Sequence, residues 1–355
     1  MKLEELGYTI ELENYRVENN LLNFGIARVI KEHKERYNVK SEAGYFEAEL
    51  IGNLRFTATN RSDFPAVGDW VAISEYDTDK ALIHHVFLRT STIERQAIGK
   101  HGEKQIIATN IDVGFIVQSV NRDFNINRLE RYITICNASK VTPIIILTKI
   151  DLISETALKS MLREISTRIK NIEIISISNE TNIGIHTIKS LIKKGKTYCL
   201  LGSSGVGKST LINSISNKEL MKTGAISDSI DRGKHITTHR ELIVLENGGI
   251  IIDNPGMREV GITDVDEGLE MTFEEITNLS NSCRFSDCTH IHEKGCTILE
   301  AIDNEELDED AYDNYQRIER EKQFFESTQQ DKKQKDKNLG KLIKSAQQNK
   351  RRSKH

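Results

Sequence analysis

The sequence predicts three structural parts: a small N-terminal β-barrel, a central α/β domain and a C-terminal helical segment that binds a metal ion. Short strand-like segments separated by turn residues fill the first hundred positions. Strand and helix patterns then alternate from about 112 to 262, and a cluster of Cys and His follows. At 355 residues the chain is long enough for this division. We expect domains at 1–98, 99–265 and 266–328, followed by a basic, disordered tail at 329–355.

Five segments of the N-terminal part have the alternating or β-branched character of short strands. They are "FGIARVIKEH", "RYNVKSE", "YFEAEL", "DWVAISEY" and "ALIHHVFL". Five short strands suit a small barrel, although the pattern alone does not separate an OB-fold from an SH3-like barrel. Tyr37, Tyr45 and Phe56 are either core side chains or platforms on which nucleic-acid bases stack.

The central part alternates apolar strands with amphipathic helices. The strands are "DVGFIVQSV", "TPIIIL", "IEIISI" and "TYCLL", and the helices between them include "INRLERYITICNAS" and "ETALKSMLREISTRI". This alternation is typical of a doubly wound parallel sheet. Cys136 and Cys199 lie in these apolar segments, and we interpret both as core residues.

A phosphate-binding loop lies late in this domain. The segment 202–209 reads "GSSGVGKS", which matches G-x-x-x-x-G-K-[ST] and joins the strand "TYCLL" to the helix "TLINSI". In such a loop backbone N–H groups face the phosphates, Lys208 neutralises them and Ser209 holds Mg²⁺. The residues predicted to bind the phosphates are Gly202, Ser203, Ser204, Gly205, Val206, Gly207, Lys208, Ser209 and Thr210.

The residues that would read the base lie upstream of this loop. "TKID" at 148–151 fits [NT]-K-x-D and ends a β-branched run, where ligands bind in open α/β sheets. Its aspartate would accept hydrogen bonds from the guanine N1–H and amino groups, which adenine does not offer. The stretch 178–184 would form the loop that backs the base. The predicted base-binding residues are Thr148, Lys149, Ile150, Asp151, Ser178 and Asn179. If "TKID" is an accidental match, a phosphate-loop ATPase or kinase is the alternative.

Two further segments complete a nucleotide-hydrolysing site. In "IIDNPGMRE", Asp253 would hold the Mg²⁺ shell and Gly256 would sense the γ-phosphate. Between the phosphate loop and Asp253 lies "DRGKHITTHREL", whose Thr237 and Thr238 are candidates for a switch threonine; we choose Thr238 as the Mg²⁺ ligand. Met257 stands where many GTPases place a glutamine that orients water, so hydrolysis by the protein alone should be slow.

Three of the five cysteines lie in "CRFSDCTHIHEKGC". Clustered Cys and His in a chain without a secretion signal favour a metal site over disulfides. Cys283, Cys288, His290 and Cys296 would form a closed tetrahedral site for one structural Zn²⁺. His292 is a rival fourth ligand.

The order of these motifs along the chain is base reader, base-backing loop, phosphate loop, switch and metal aspartate. With "TKID", "GSSGVGKST", "HITTHREL", "IIDNPGMRE" and the Cys/His cluster, the chain resembles the circularly permuted, small-subunit-dependent GTPases called RsgA, YjeQ or YloQ, roughly from 23 to 321. The resemblance implies an OB-fold for the barrel and His290 as the zinc ligand. It also makes His235, in the switch, the candidate catalytic residue; the alternative is an ordinary exposed loop histidine.

The resemblance further implies a GTP hydrolase acting in late maturation of the small (30S) ribosomal subunit. Such an enzyme binds rRNA, is slow alone, is faster on the subunit and leaves after hydrolysis. A non-catalytic RNA-binding assembly factor that uses nucleotide only as a structural ligand is a second alternative. Three residues depart from the family pattern: Thr148 replaces a commoner Asn, Asn179 a usual Ala, and Ile236 a frequent Thr.

Charge is distributed unevenly. The net charge is −4, but positions 331–355 carry ten Lys/Arg against two Asp, so the remainder carries −12. The tail is either a solubilising extension or a polycation that binds RNA phosphates, and we favour the latter. No apolar run approaches membrane length and the N-terminus lacks a signal-like segment. We therefore expect a cytoplasmic monomer without a membrane partner.

Overall fold

The computed structural model describes residues 1–33, 35–58, 61–96, 104–121, 124–216, 240–253 and 265–326. The strands in this part are β1 (Gly25–His33), β2 (Arg36–Ser41), β3 (Tyr45–Leu50), β4 (Trp70–Asp77), β5 (Lys80–Val86), β6 (Thr92–Gln96), β7 (Lys104–Thr109), β8 (Val113–Ser119), β9 (Thr142–Thr148), β10 (Glu173–Ser176), β11 (Thr197–Leu201), β12 (Glu241–Val244) and β13 (Ile250–Asp253). The α-helices are α1 (Ile10–Glu18), α2 (Gly52–Thr57), α3 (Ile126–Ala138), α4 (Glu155–Arg168), α5 (Ile185–Leu191), α6 (Lys208–Ser216), α7 (Asp266–Thr272), α8 (Glu274–Ser280), α9 (Thr297–Asp303) and α10 (Glu309–Glu326). Short 3-10 helices lie at Leu3–Leu6, Arg61–Asp63 and Ile150–Leu152.

The first five strands form a closed barrel in the order β1-β2-β3-β5-β4, and β4 returns to pair with β1. All five strands predicted from the sequence are confirmed, and closure leaves this small sheet no free edge of its own. Tyr37 is 1% exposed and belongs to the barrel core, whereas Tyr45 and Phe56 are 62% and 90% exposed. Tyr37 is therefore a core side chain, and of these three only Tyr45 and Phe56 are accessible to a stacked base.

The central sheet has the order β10-β9-β8-β11-β13-β12. Its first five strands run parallel, with α3 and α4 packed on one face and α5 and α6 on the other. β12 differs from the all-parallel prediction, because it pairs antiparallel with β13. The two strands are joined by a turn at 245–249 in which Gly248 has φ +81°, and so short a connection permits only an antiparallel pair. Glu241 and Leu242, which the sequence placed in the switch loop, belong to this strand.

Burial confirms the interpretation of the two isolated cysteines. Cys136 and Cys199 are both 0% exposed and lie in the apolar core of the central domain. Burial raises the pKa of the Cys199 thiol to about 12 and raises that of Cys136 well above its usual value. Both thiols therefore stay protonated and act as packing groups.

Main-chain hydrogen bonds connect the barrel to the central sheet. β1 pairs with β12 at Lys31 and Glu241, whose side chains also form an ion pair at 2.7 Å. Nearby, the guanidinium of Arg28 is 1% exposed and donates to three carbonyl oxygens: Leu6 at 2.6 Å, Gly68 at 3.1 Å and Asn110 at 3.1 Å. Burial lowers the pKa of Arg28 to about 10.

The C-terminal helices pack against α3 instead. α7 approaches so closely that a Cβ on Gly268 would lie 2.4 Å from the carbonyl oxygen of Thr134. Two ion pairs, Glu130 with Arg168 and Arg131 with Glu321, lie where α10 meets α3 and α4. Among the helices that the structure describes, none has both the length and the apolar character needed to cross a membrane.

Candidate nucleotide site and metal centre

The phosphate loop connects β11 to α6, as the motif predicts. Gly202 and Gly207 have φ of +145° and +98°, a backbone region that favours glycine. At Gly202 a Cβ would also lie 2.2 Å from the carbonyl oxygen of Val117. The main chain of the loop can therefore approach β8 closely. Since α6 begins at Lys208, directly after the loop, its first N–H groups have no partner within the helix.

Cationic and oxygen-donating side chains surround this loop. The Lys208 Nζ donates to the carbonyl oxygens of Gly202 at 2.7 Å and Ser203 at 2.6 Å, so its charge lies over the loop. Ser209 and Thr210 follow in the first turn of α6. Asp253 ends β13, the parallel neighbour of β11, and is 6% exposed. A hydroxyl and a carboxylate at one sheet edge are oxygen ligands of the kind that Mg²⁺ prefers.

The "TKID" segment contacts the phosphate loop directly. Thr148 ends β9 and is fully buried, and its Oγ1 donates to the carbonyl oxygen of Val206 at 2.6 Å. Lys149 adopts a left-handed backbone with φ +63°, and its Nζ donates to the carbonyl oxygen of Gly205 at 2.8 Å. Two motifs separated by more than fifty residues therefore share one site.

A hydrogen bond from the loop that begins at Ser178 holds the Asp151 carboxylate in place. The buried hydroxyl of Ser178 donates to its Oδ1 at 2.5 Å, and the Thr181 N–H donates to the same hydroxyl at 3.1 Å. The Ile150 N–H also donates to the carbonyl oxygen of Ile177 at 3.3 Å. These bonds place the loop that begins at Ser178 beside the base-reading segment, as its predicted role requires.

Several predicted residues lie outside the described part of the chain. This applies to the switch candidates and to the glycine and methionine after Asp253; the residues are His235, Ile236, Thr237, Thr238, Gly256 and Met257.

The Cys/His cluster converges as the sequence predicts. One ligand atom from each of Cys283, Cys288, His290 and Cys296 lies within 4.8 Å of the others. The His290 Nδ1 lies 3.4 Å from the sulfurs of Cys283 and Cys296, and those two sulfurs are 3.9 Å apart. A tetrahedral ion with metal–sulfur bonds of about 2.3 Å separates its sulfurs by about 3.8 Å. The donor set therefore fits a metal ion of this size.

A brace around His290 was missed by sequence reasoning. The Glu293 carboxylate accepts hydrogen bonds from the backbone N–H groups of Thr289 at 3.0 Å, Ile291 at 3.0 Å and His292 at 3.2 Å. Hydrogen bonding, led by the Thr289 hydroxyl, holds the pKa of Glu293 well below its usual range. His292 contributes a backbone N–H to this brace and is not among the clustered ligand groups. The sequence did contain one sign of this contact, namely a carboxylate, Glu293, three residues after the ligand histidine.

The architecture and the site together define a phosphate-loop GTPase with permuted motif order. The family model described as RsgA GTPase matches residues 86–263. A second model, described as ABC transporter, matches 185–352; this range contains the phosphate loop but not the base-reading segment at 148–151.

Two curated relatives match most of the chain. A Listeria innocua protein named "Small ribosomal subunit biogenesis GTPase RsgA 1" is 41% identical over 90% of this chain and 89% of its own. A Vibrio vulnificus protein named RsgA 2 is 33% identical over 99% and 97%. The chain belongs to the RsgA GTPase family, whose members are GTP hydrolases.

Solved structures support the same fold. YloQ, titled a circularly permuted GTPase, matches with a TM-score of 0.61 and 24% identity, covering 86% of this chain and 97% of that one. YjeQ from Thermotoga maritima gives the same score and identity over 83% and 96%.

Proposed function

We propose that this GTPase binds GTP between the phosphate loop and the "TKID" segment and acts in late maturation of the small ribosomal subunit. The hydrogen bond from Thr148 to Val206 carries the proposal, because it joins the base reader to the phosphate loop. The relatives' printed names supply the ribosomal role.

The individual roles follow from position. Residues 202–210 bind the phosphates, Asp151 reads guanine with Ser178 and Asn179 behind it, and Gly256 senses the γ-phosphate. Ser209, Thr238 and Asp253 hold Mg²⁺, which when bound neutralises charge on the phosphates. Hydrolysis is slow without a partner because Met257 offers no group to orient water, and His235 supplies that function on the subunit.

The two flanking domains and the tail bind rRNA. On the barrel surface the Lys40 Nζ lies 4.2 Å from the centre of the exposed Tyr45 ring, and beside the metal cluster the Arg284 guanidinium lies 5.4 Å from the Phe285 ring. Cation–aromatic pairs of this kind suit stacked bases and phosphates. Zn²⁺ bound by the four clustered residues organises the second surface and takes no part in catalysis.

The test is GTP turnover by the full chain with and without purified small subunits. We expect subunits to raise turnover, and His235→Ala to remove most of that increase. Unchanged turnover in the presence of subunits would contradict the ribosomal role. A wild-type rate for His235→Ala on the subunit would overturn only the assignment of that residue.

Base recognition is tested separately with Asp151→Asn. GTP binding should weaken at least about a hundredfold, because Asn keeps one acceptor oxygen but turns an N–H group towards the second guanine donor. Xanthosine triphosphate, which carries an oxygen in place of the amino group, should bind the variant better than GTP does. Equal competition by ATP and GTP for the wild-type protein would instead favour a phosphate-loop ATPase.

A further inference from the structure

Asn179 carries its side-chain amide in the proposed guanine site. Its Oδ1 is buried and has no hydrogen-bond partner among the described residues. This oxygen is an acceptor and cannot bond an acceptor on a ligand; it shows only that no donor of the described residues holds this side of the amide. Asn179 directly follows Ser178, the residue that holds the Asp151 carboxylate.

The other end of the same amide faces the phosphate loop. The Asn179 Nδ2 lies 3.3 Å from the position that a Cβ on Gly207 would occupy, and the Thr148 Oγ1 lies 3.8 Å from that position. The amide is therefore placed between the carboxylate that reads the base and the loop that holds the phosphates. A nucleotide that bridges these two groups must pass its sugar-bearing ring close to Asn179.

The neighbouring hydroxyl, that of Thr148, already donates its hydrogen within the protein. Thr148 has a single hydroxyl hydrogen, and its short bond to the carbonyl oxygen of Val206 uses that hydrogen. The amide of Asn179 has two N–H donors. The Asn179 amide therefore has a donor hydrogen for an acceptor on the base, whereas the Thr148 hydroxyl has none left.

We propose that the Nδ2–H group of Asn179 donates a hydrogen bond to N7 of the guanine base. This inference rests on the proposed guanine site and extends it to a second edge of the base. The N1–H and amino groups, which Asp151 would bind, lie on the six-membered ring. N7 lies on the five-membered ring, which carries the ribose and therefore faces the phosphate loop. N7 is an acceptor, so it matches an amide N–H and opposes a carboxylate.

The experiment removes each partner of this bond in turn. Dissociation constants are measured for GDP and 7-deaza-GDP, in which a C–H group replaces N7, with the full-length wild-type protein and Asn179→Ala. A neutral hydrogen bond of this kind corresponds to a change of about threefold to tenfold. Wild type should bind 7-deaza-GDP weaker than GDP by that factor. Asn179→Ala should bind GDP correspondingly weaker and should not distinguish the two nucleotides.

Two further variants sharpen the result. Asn179→Asp keeps the shape but places an acceptor against N7, so it should reverse the order and bind 7-deaza-GDP more tightly than GDP. Asn182→Gly alters an exposed asparagine of the same loop while tolerating its left-handed backbone (φ +60°), and should retain the wild-type discrimination. Because Asn179→Asp is nearly isosteric, it gives an answer even if the alanine variant does not fold.

The outcomes separate this inference from the proposed function. A wild-type protein that binds both nucleotides equally, or an Asn179→Ala variant that keeps the full penalty for 7-deaza-GDP, overturns the N7 contact. Failure of wild type to prefer GDP over ADP overturns the guanine site itself.

Discussion

The GTPase domain joins its two neighbours by different means. Towards the barrel, most partners are main-chain groups: β1 pairs with β12, and the buried Arg28 side chain donates to three carbonyl oxygens. One exposed ion pair, Lys31 with Glu241, joins the same two strands.

Towards the C-terminal helices the junction includes charged side chains of α3: Arg131 pairs with Glu321, and Glu130, which pairs with Arg168 of its own domain, accepts from the Asn314 amide. The helices also pack closely where Gly268 approaches α3.

This difference assigns different sensitivities to the two junctions. Main-chain hydrogen bonds within a continuous sheet, and the buried contacts of Arg28, depend little on salt. The C-terminal junction depends on charge and on the metal loop, because the Tyr312 hydroxyl donates to the carbonyl oxygen of His290 at 2.8 Å and so ties α10 to the cluster. The barrel should therefore stay docked under conditions that release the C-terminal helices.

Metal removal should produce the largest effect. Structural zinc sites supply about 10–16 kcal/mol of folding free energy in small zinc domains, so a chelator, or Cys288→Ser, should unfold the C-terminal helices. Hydrogen exchange should show that amides of 266–326 lose protection while those of the barrel keep it.

Cys199→Ala is the matched control, since it removes a buried thiol distant from the cluster. It should retain one zinc per chain by metal analysis. Protection of 266–326 that survives complete metal removal would show that the contacts with α3 hold this junction without the metal.

The sequence predicted the metal ligands and the phosphate loop because each depends on local spacing. A P-loop needs glycines at fixed positions, and a tetrahedral site needs four ligands within a short stretch. Arg28 carries no comparable signal: it occupies an ordinary position in a strand-like segment, and its three partners lie 22, 40 and 82 residues away. Long-range partners of that kind are set by tertiary packing alone.

Arg28→Met should give the next largest effect and tests the barrel junction. Removing a fully buried guanidinium takes a donor from three carbonyl oxygens, of which only that of Gly68 keeps another, the Asn110 amide at 3.0 Å. The loss should lower the free energy of unfolding by about 3–5 kcal/mol. Urea denaturation measures this change.

Arg36→Met, on the adjacent strand, is the control, because its contact with Glu47 is exposed and long at 3.7 Å. It should change stability by less than about 0.5 kcal/mol. Equal effects of the two substitutions would mean that the Arg28 contacts contribute nothing specific to the junction.

In the nucleotide site, too, some contacts could not be predicted from the sequence because they depend on tertiary packing. The resemblance predicts that the Thr148 hydroxyl partly replaces an Asn that braces the phosphate loop, but the motif does not identify the Val206 carbonyl oxygen as its partner. The sequence also contained no sign of the unpaired Oδ1 of Asn179, since a buried atom without a partner is a property of packing.

The smallest effect is expected for the outer ion pair of the C-terminal junction. Arg131 and Glu321 form two hydrogen bonds, at 2.5 and 2.7 Å, with side chains 28% and 27% exposed. A double-mutant cycle with alanine at both positions should give a coupling energy of about 0.5–1 kcal/mol, which falls towards zero in about 1 M salt.

The neighbouring pair of Glu130 and Arg168 provides the contrast, because its side chains are only 3% and 7% exposed. Burial raises the pKa of Glu130, while Arg168 and Asn314 oppose that rise through hydrogen bonds. Salt screens such a pair little, so Arg168→Met should cost about 3 kcal/mol at either ionic strength. If the Arg131 coupling persists in high salt, the outer pair is also shielded from solvent. The two junctions would then differ in composition but not in their response to salt.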